Sequence, residues 1–298
     1  MSEVISEEEL NRLWRQPQER QDRHLALREA ATTFLTDGAT STEDFALFRI
    51  AAALQSSVVF QQQPVLLDAG CGPGYYLSAL LENPALLIRQ AIGLDRNRAA
   101  LERAQDRLKS LPAGQLIQGN ILKLPFGPAT FGAAMCNRML NQTGDIAGAL
   151  AAVAATLAED GLLFIVTAGT EAPSPLREAH ERIQAELGFP AHIYHHTTKP
   201  DQRFNLANGP DWLSANFKDW RIDLYERRLG FTDPAQLGRY YASGLLFQKS
   251  SGLDEPEVSV ARWGALYARV TGEMARVILA KGNLSYTEGA ALFSARRK

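Results

Sequence analysis

The run Asp68-Ala69-Gly70-Cys71-Gly72-Pro73-Gly74 sets a carboxylate ahead of three glycines at alternate positions. Glycine lacks a Cβ, so such a turn reaches left-handed backbone conformations at little steric cost and lets a ligand approach the main chain closely. Dinucleotide sites space their glycines as G-x-G-x-x-G, with a pyrophosphate on the following helix. Here one residue, Pro73, separates the second and third glycines. An acid ahead of the turn would repel phosphate but could hold an ammonium. Asp95 follows 21 residues after Gly74. A carboxylate at a strand end suits the two hydroxyls of a ribose, and with the glycine turn it predicts a ribose-bearing ligand.

The remaining chemistry-bearing residues are sparser. Cys136-Asn137-Arg138-Met139-Leu140-Asn141 follows an apolar run; Asn137 and Arg138 could touch a cofactor, touch an acceptor, or satisfy backbone at a strand end. The histidines are His24, His180, His192, His195 and His196, and the last three fall within six residues. Imidazole suits proton abstraction near neutral pH, so His192, His195 and His196 are the candidate bases, against a reading as ordinary loop histidines. No neighbouring carboxylate or cysteine completes a metal-ligand set with them, and no metal is expected. Tyr75 and Tyr76 follow the glycine turn and are candidates for a pocket wall.

Short β-rich runs and helical patterns alternate so as to position these residues. Val65 to Ala69, Ala91 to Asp95, Gln115 to Gly119, Phe131 to Cys136 and Leu162 to Thr167 read as buried strands. Ala99 to Leu111 and Asp145 to Glu159 carry apolar residues at helical spacing, the second starting at Gly144 or Asp145 and stopping at Asp160-Gly161. This alternation predicts βαβ units and a parallel sheet covered on both faces. Further on, Pro175 to Leu187 reads as a helix, Trp220 to Leu229 as a strand, Pro256 to Lys281 as a helix stopped by Gly282, and Thr287 to Ala295 as a last strand. The stripe from Trp263 to Ile278 is either a packing face or the face of a homodimer.

Composition sets the outer limits. The chain has 298 residues, 46% hydrophobic and 21% charged, ample for a sizeable core. Its 31 basic residues against 33 acidic ones leave a net charge of −2, without the basic surplus that tracking nucleic acid requires. Two cysteines do not make a disulfide framework, the N-terminal run is acidic rather than signal-like, and no apolar run approaches ~20 residues. The expectation is a cytoplasmic protein without a membrane segment.

Val65 to Gly74, Gly93-Leu94-Asp95, Gly119-Asn120-Ile121 followed by Leu124-Pro125-Phe126, and Leu162 to Thr167 after Asp160-Gly161 resemble class I S-adenosylmethionine-dependent methyltransferases. The likeness covers roughly residues 60–168. A weaker one, through Phe204 to Gly209, the strand near 220–229 and Phe231-Thr232-Asp233-Pro234, points to bacterial enzymes acting on small molecules. The resemblance implies an α/β fold: a Rossmann-like, mostly parallel seven-stranded sheet with helices on both faces and a helical cap. It implies that Asp68 orients the methionine ammonium, that Gly70, Cys71, Gly72 and Gly74 line the methionine and ribose, and that Asp95 holds the ribose hydroxyls. Arg96 would sit over the adenine face, Asn120 and Ile121 at the adenine edge, and Asn137 near the reacting methyl. Asn120 stands where the pattern usually has Asp; an amide oxygen still accepts a hydrogen bond but lacks the charge.

These readings predict three segments: an N-terminal helical cap over 1–60, a cofactor-binding core over 61–168, and cap helices with the last two strands over 169–298. The expected reaction moves a methyl from S-adenosyl-L-methionine to an O, N or C nucleophile of a small organic acceptor, leaving S-adenosyl-L-homocysteine. The alternatives are an RNA or protein methyltransferase, a nicotinamide-dependent oxidoreductase disfavoured by the glycine spacing, and a cofactor-binding protein without turnover. The segment 136–141 lacks the Asn-Pro-Pro-Tyr/Phe signature of amino-directed enzymes on nucleobases or glutamine, which lowers the nucleic-acid reading further.

Overall fold

A computed structural model describes residues 8–9, 12–13, 23, 42–169, 174–190, 203–250 and 258–298. Its contacts divide the chain into two units. One comprises Met1–Ser41, Glu171–Lys199 and Arg227–Glu288, the other Thr42–Thr170, Pro200–Glu226 and Gly289–Lys298.

The second unit holds the glycine turn. Helices α1 (Thr42–Ser56) and α2 (Val58–Gln62) lead into β1 (Val65–Ala69), followed by α3 (Tyr75–Leu81), β2 (Gln90–Asp95), α4 (Arg98–Leu108) and β3 (Gly114–Gln118). Then come a 3₁₀ turn (Ile121–Lys123), β4 (Phe131–Met135), a second 3₁₀ turn (Leu140–Gln142), α5 (Ile146–Thr156) and β5 (Leu157–Ala168). β1 pairs in parallel with β2 and β4, β2 with β3, and β4 with β5. Two further strands, β6 (Phe217–Phe231) and β7 (Leu284–Arg297), carry residues of both units and complete the order β3-β2-β1-β4-β5-β7-β6, with β7 antiparallel to β5. This is the mostly parallel seven-stranded α/β sheet expected.

The pleat of β1 explains its continuous apolar run. Val65, Leu67 and Ala69 join a cluster with α5 residues such as Leu150 and Val153. Leu66 faces the other way, into Ile50 of α1, Phe60 of α2 and Leu77 of α3. Every β1 residue is buried because helices cover both faces. Asp68 shares the parity of Leu66 and is only 1% exposed.

The helix expected over Asp145 to Glu159 needs correction. Asp145 does cap it, its side chain accepting from Gly148 N–H, but the helix ends at Thr156. Leu157 turns extended, is fully buried and pairs with Phe131. Asp160, with φ of 56°, and Gly161 fall in an irregularity before Leu162 pairs with Ala133. Strand pairing with a buried leucine outweighed helical periodicity in this short segment, so Gly161 is no helix stop.

The first unit packs α6 (Pro175–Glu186), α8 (Pro234–Ser250) and α9 (Val260–Lys281) around its own cluster, which includes Leu176, Ile183, Leu237 and Tyr241. Trp263, Leu266, Tyr267, Val270, Met274 and Ile278 are all buried in that cluster, so their stripe is a packing face and not a dimer face. Ser259 caps α9, and Gly282 ends it in the left-handed conformation at φ of 79°. α7 (Gly209–Ser214) and α8 carry no strong sequence pattern and were not anticipated. Among the described residues no helix is long and apolar enough to cross a membrane.

Candidate active site

The C-terminal ends of the parallel strands carry the glycine turn, Asp68 and Asp95. Gly70 N–H and Cys71 N–H donate to the Leu94 carbonyl at 2.6 and 3.1 Å, tying the turn to the end of β2. Gly74 N–H donates to the Cys71 carbonyl at 3.0 Å. Gly70, Gly72 and Gly74 have φ of 81°, 53° and 78°, left-handed values that cost other residues about 1–2 kcal/mol each. Their surroundings differ. A Cβ on Gly70 would meet Met139 Cγ at 2.7 Å and one on Gly74 would meet Ala104 Cβ at 3.0 Å, whereas nothing lies within 4 Å of one on Gly72. Gly72 therefore opens onto space at the turn. Cys71 is spent on the turn itself: it is buried, and its Sγ lies 2.9 Å from where a Gly93 Cβ would stand.

Asp95 is held in a fixed orientation. Its Oδ2 accepts from Gly72 N–H at 2.8 Å and its Oδ1 from Asn97 N–H at 2.8 Å. Each oxygen keeps a further lone pair for a donor outside the protein. Arg96 is exposed, its carbonyl accepting from Gln118 Nε2 at 3.2 Å. Asn120 is exposed and uses its Oδ1 to accept from Leu122 N–H at 3.0 Å, so it caps the 3₁₀ turn; Ile121 beside it is buried.

Asp68 is the most unusual group. Its Oδ2 has no hydrogen-bond partner in the protein. Burial first, and then the negative charge of Asp95, push its carboxyl up to about 8. A buried carboxylate with an unpartnered oxygen disfavours its charged form, and a cation placed beside it would reverse that. Asn137 is similarly buried: its Oδ1 accepts from Val166 N–H at 3.1 Å while its Nδ2 has no partner. Burial also raises the Cys71 and Cys136 thiols, which disfavours the thiolate a nucleophile needs.

Two contacts from α1 reach this end of the sheet, and sequence reasoning missed both. Tyr75 OH donates to Asp44 Oδ1 at 3.0 Å, and Arg138 pairs with Glu43 at 3.4 Å. Arg138 adopts φ of 54°, rare for a residue with a side chain, and its N–H donates to the Val166 carbonyl at 2.7 Å. The only signal in the sequence was the acidic first turn of α1.

His192, His195 and His196 lie outside the described residues. His180, in the first unit, has its Nδ1 2.7 Å from the Tyr241 hydroxyl. Among the described residues no group of three or more His, Cys, Asp or Glu could hold a metal ion.

Residues 67–165 match the protein family described as a methyltransferase domain. An uncharacterized 37.1 kDa protein in transposon TN4556 of Streptomyces fradiae is 35% identical over 99 residues, 33% of this chain and 28% of that protein. The malonyl-[acyl-carrier protein] O-methyltransferase of Legionella pneumophila is 26% identical over 116 residues, 38% of this chain and 39% of that enzyme. The chain thus spans well under half the length of the curated relatives it matches. The YcgJ protein of Bacillus subtilis shares the fold, with a TM-score of 0.53 at 17% identity over 85% of this chain and 98% of that one. The strand order, the glycine turn and the acids at the ends of β1 and β2 agree with that match: residues 67–165 have the sequence and the fold of a methyltransferase domain.

Proposed function

We propose that this protein transfers a methyl group from S-adenosyl-L-methionine to an O, N or C nucleophile of a small organic molecule. The observation that carries the reading is Asp68: a buried carboxyl with an unpartnered Oδ2, beside a left-handed glycine turn and 27 residues ahead of an oriented Asp95. That arrangement fits a ligand with a cationic amino-acid end and a ribose. When bound, S-adenosylmethionine supplies an electrophilic methyl on a sulfonium. Asp68 then holds the ammonium, and Asp95 accepts from the ribose hydroxyls with its remaining lone pairs. Gly72 leaves room for the ligand against the main chain. Asn120 keeps one oxygen lone pair for the adenine amino group, Ile121 offers an apolar edge, and Arg96 covers the ring face. Asn137 Nδ2 remains a donor close to the reacting end.

The protein's part in the displacement is alignment and exclusion of water. An alcohol or phenol acceptor would also need a proton acceptor, a role we assign to one of His192, His195 and His196. The near-neutral charge supports a small acceptor over nucleic acid. The Legionella relative, an O-methyltransferase by name, is compatible with oxygen as the nucleophile.

The test is transfer of labelled methyl from S-adenosylmethionine into a metabolite extract, with products separated by size and S-adenosylhomocysteine binding measured alongside. Label in the small-molecule fraction is the expected result. Label in RNA or protein would overturn the acceptor class, and binding without transfer to any fraction would favour a non-catalytic binder.

A further inference from the structure

Arg138 stands on the turn by which the chain leaves β4, in a left-handed backbone conformation. The segment after β4 is pinned to β5 by two main-chain bonds, Cys136 N–H to the Phe164 carbonyl at 2.8 Å and Arg138 N–H to Val166 at 2.7 Å. It leaves the sheet at the end where Asp68 and Asp95 sit, and Met139 lies over Gly70. The left-handed backbone at Arg138 turns the chain at a residue where glycine or asparagine would meet less strain, yet a long cationic side chain stands there. Its side chain is 30% exposed although its Nε is buried, and it is paired with Glu43, itself 18% exposed, on the first turn of α1.

We infer that Arg138 recognises a carboxylate on the methyl acceptor and that Glu43 is the protein's own stand-in for that group. This rests on the methyl transfer proposed above and adds the class of acceptor. A planar guanidinium matches a carboxylate through paired donors, a geometry that lysine does not reproduce. Exchanging the Glu43 carboxylate for an acceptor carboxylate leaves the charge on Arg138 balanced. A neutral acceptor has nothing to offer in that exchange. Arg138 is thus a specificity residue, and Glu43 competes with the acceptor for it.

A latch and a recognition site predict opposite behaviour. If the pair only fastened α1, losing either member would have the same consequence. In competition the consequences differ in sign. The experiment is calorimetric titration of the S-adenosylhomocysteine-loaded protein with malonate, a simple dicarboxylate probe, with malonamide as the neutral control. Malonate should bind and malonamide should not. Glu43→Gln should tighten malonate binding by at least about threefold, and Arg138→Gln should weaken it by about tenfold or more. Arg138→Lys should restore binding only in part. Unaltered S-adenosylhomocysteine affinity in each variant shows that the site is folded. Absence of malonate binding to the loaded wild-type protein, or a shift of the same sign in Glu43→Gln and Arg138→Gln, overturns the inference. Failure of the wild type to bind S-adenosylhomocysteine would instead reject the proposed function, and the inference with it.

Discussion

Asp95 locks the glycine turn to the second strand: one carboxylate oxygen accepts from Gly72 N–H and the other from Asn97 N–H, both at 2.8 Å. The same carboxylate that would bind a ribose therefore also shapes the loop that would receive the rest of the ligand. On that assignment, turn geometry and ligand affinity would be coupled through one side chain.

Removing that side chain should affect both. Hydrogen bonds to a charged group contribute about 1.5–3 kcal/mol each. Asp95→Ala is expected to weaken S-adenosylhomocysteine binding by about 100-fold or more through two lost ribose bonds, and to lower the unfolding midpoint. Asp95→Asn keeps one acceptor oxygen and should fall between. Calorimetry showing undiminished affinity in Asp95→Ala would remove Asp95 from the site.

The Asp68 carboxyl, raised to about 8, should make cofactor binding pH-dependent. A cationic ligand selects the ionised form, so binding should release a proton below pH 8. Apparent affinity should tighten by about tenfold per pH unit between 5.5 and 7.5. Titrations in buffers of different ionisation enthalpy would show that proton directly. Asp68→Asn should bind weakly with little pH dependence.

The same group acts on stability with the opposite sign. Unfolded Asp68 loses its proton near 3.9, whereas the folded, ligand-free protein keeps it to about 8. Between those values the folded state binds the extra proton, so stability from this group is fully present below the unfolded pKa and declines as pH rises through the window. The limiting slope is about 1.4 kcal/mol per pH unit for a single group. Urea unfolding of wild type and Asp68→Asn at pH 5.5 and 7.5 should show a smaller loss in the variant; equal losses would argue against a raised carboxyl.

Two glycine substitutions separate space from backbone. Gly72→Ala meets no atom within 4 Å and should cost only about 1–2 kcal/mol of stability for its left-handed backbone, while blocking the ligand. Gly70→Ala also strikes Met139 Cγ and Cβ and should lose more stability. Equal stability losses in Gly70→Ala and Gly72→Ala would contradict this division.

The base assignment has a direct kinetic test. Replacing His192, His195 and His196 singly by Gln should, for one of them, remove the acid limb of the kcat profile near pH 6–7. If the limb survives in all three variants, the base lies elsewhere or none is used.

The sequence was informative where structure is local. A run of five buried residues ended by alternating glycines needs only its own neighbours to be read as a strand and a left-handed turn, and β1 spans Val65–Ala69 as expected. The caps Asp145 and Gly282 were legible for the same reason: each bonds within one turn of its own helix. Periodicity alone did not decide the end of α5, because Leu157 pairs with Phe131 across the sheet. Nor did it decide the Trp263 stripe, whose character depends on what covers it.

At the site, residue types and order along the chain were enough to pick out Asp68, Gly70, Gly72, Gly74 and Asp95 as ligand-facing candidates. Their protonation and partners belonged to the tertiary structure. The raised carboxyl of Asp68 comes from complete burial beside Asp95, and one lone pair of the Asn120 amide oxygen accepts from Leu122 N–H. The pairs Tyr75–Asp44 and Arg138–Glu43 join residues far apart in the chain. Burial and charge pairing are properties of proximity in space, and a linear pattern carries that information only where space and sequence coincide.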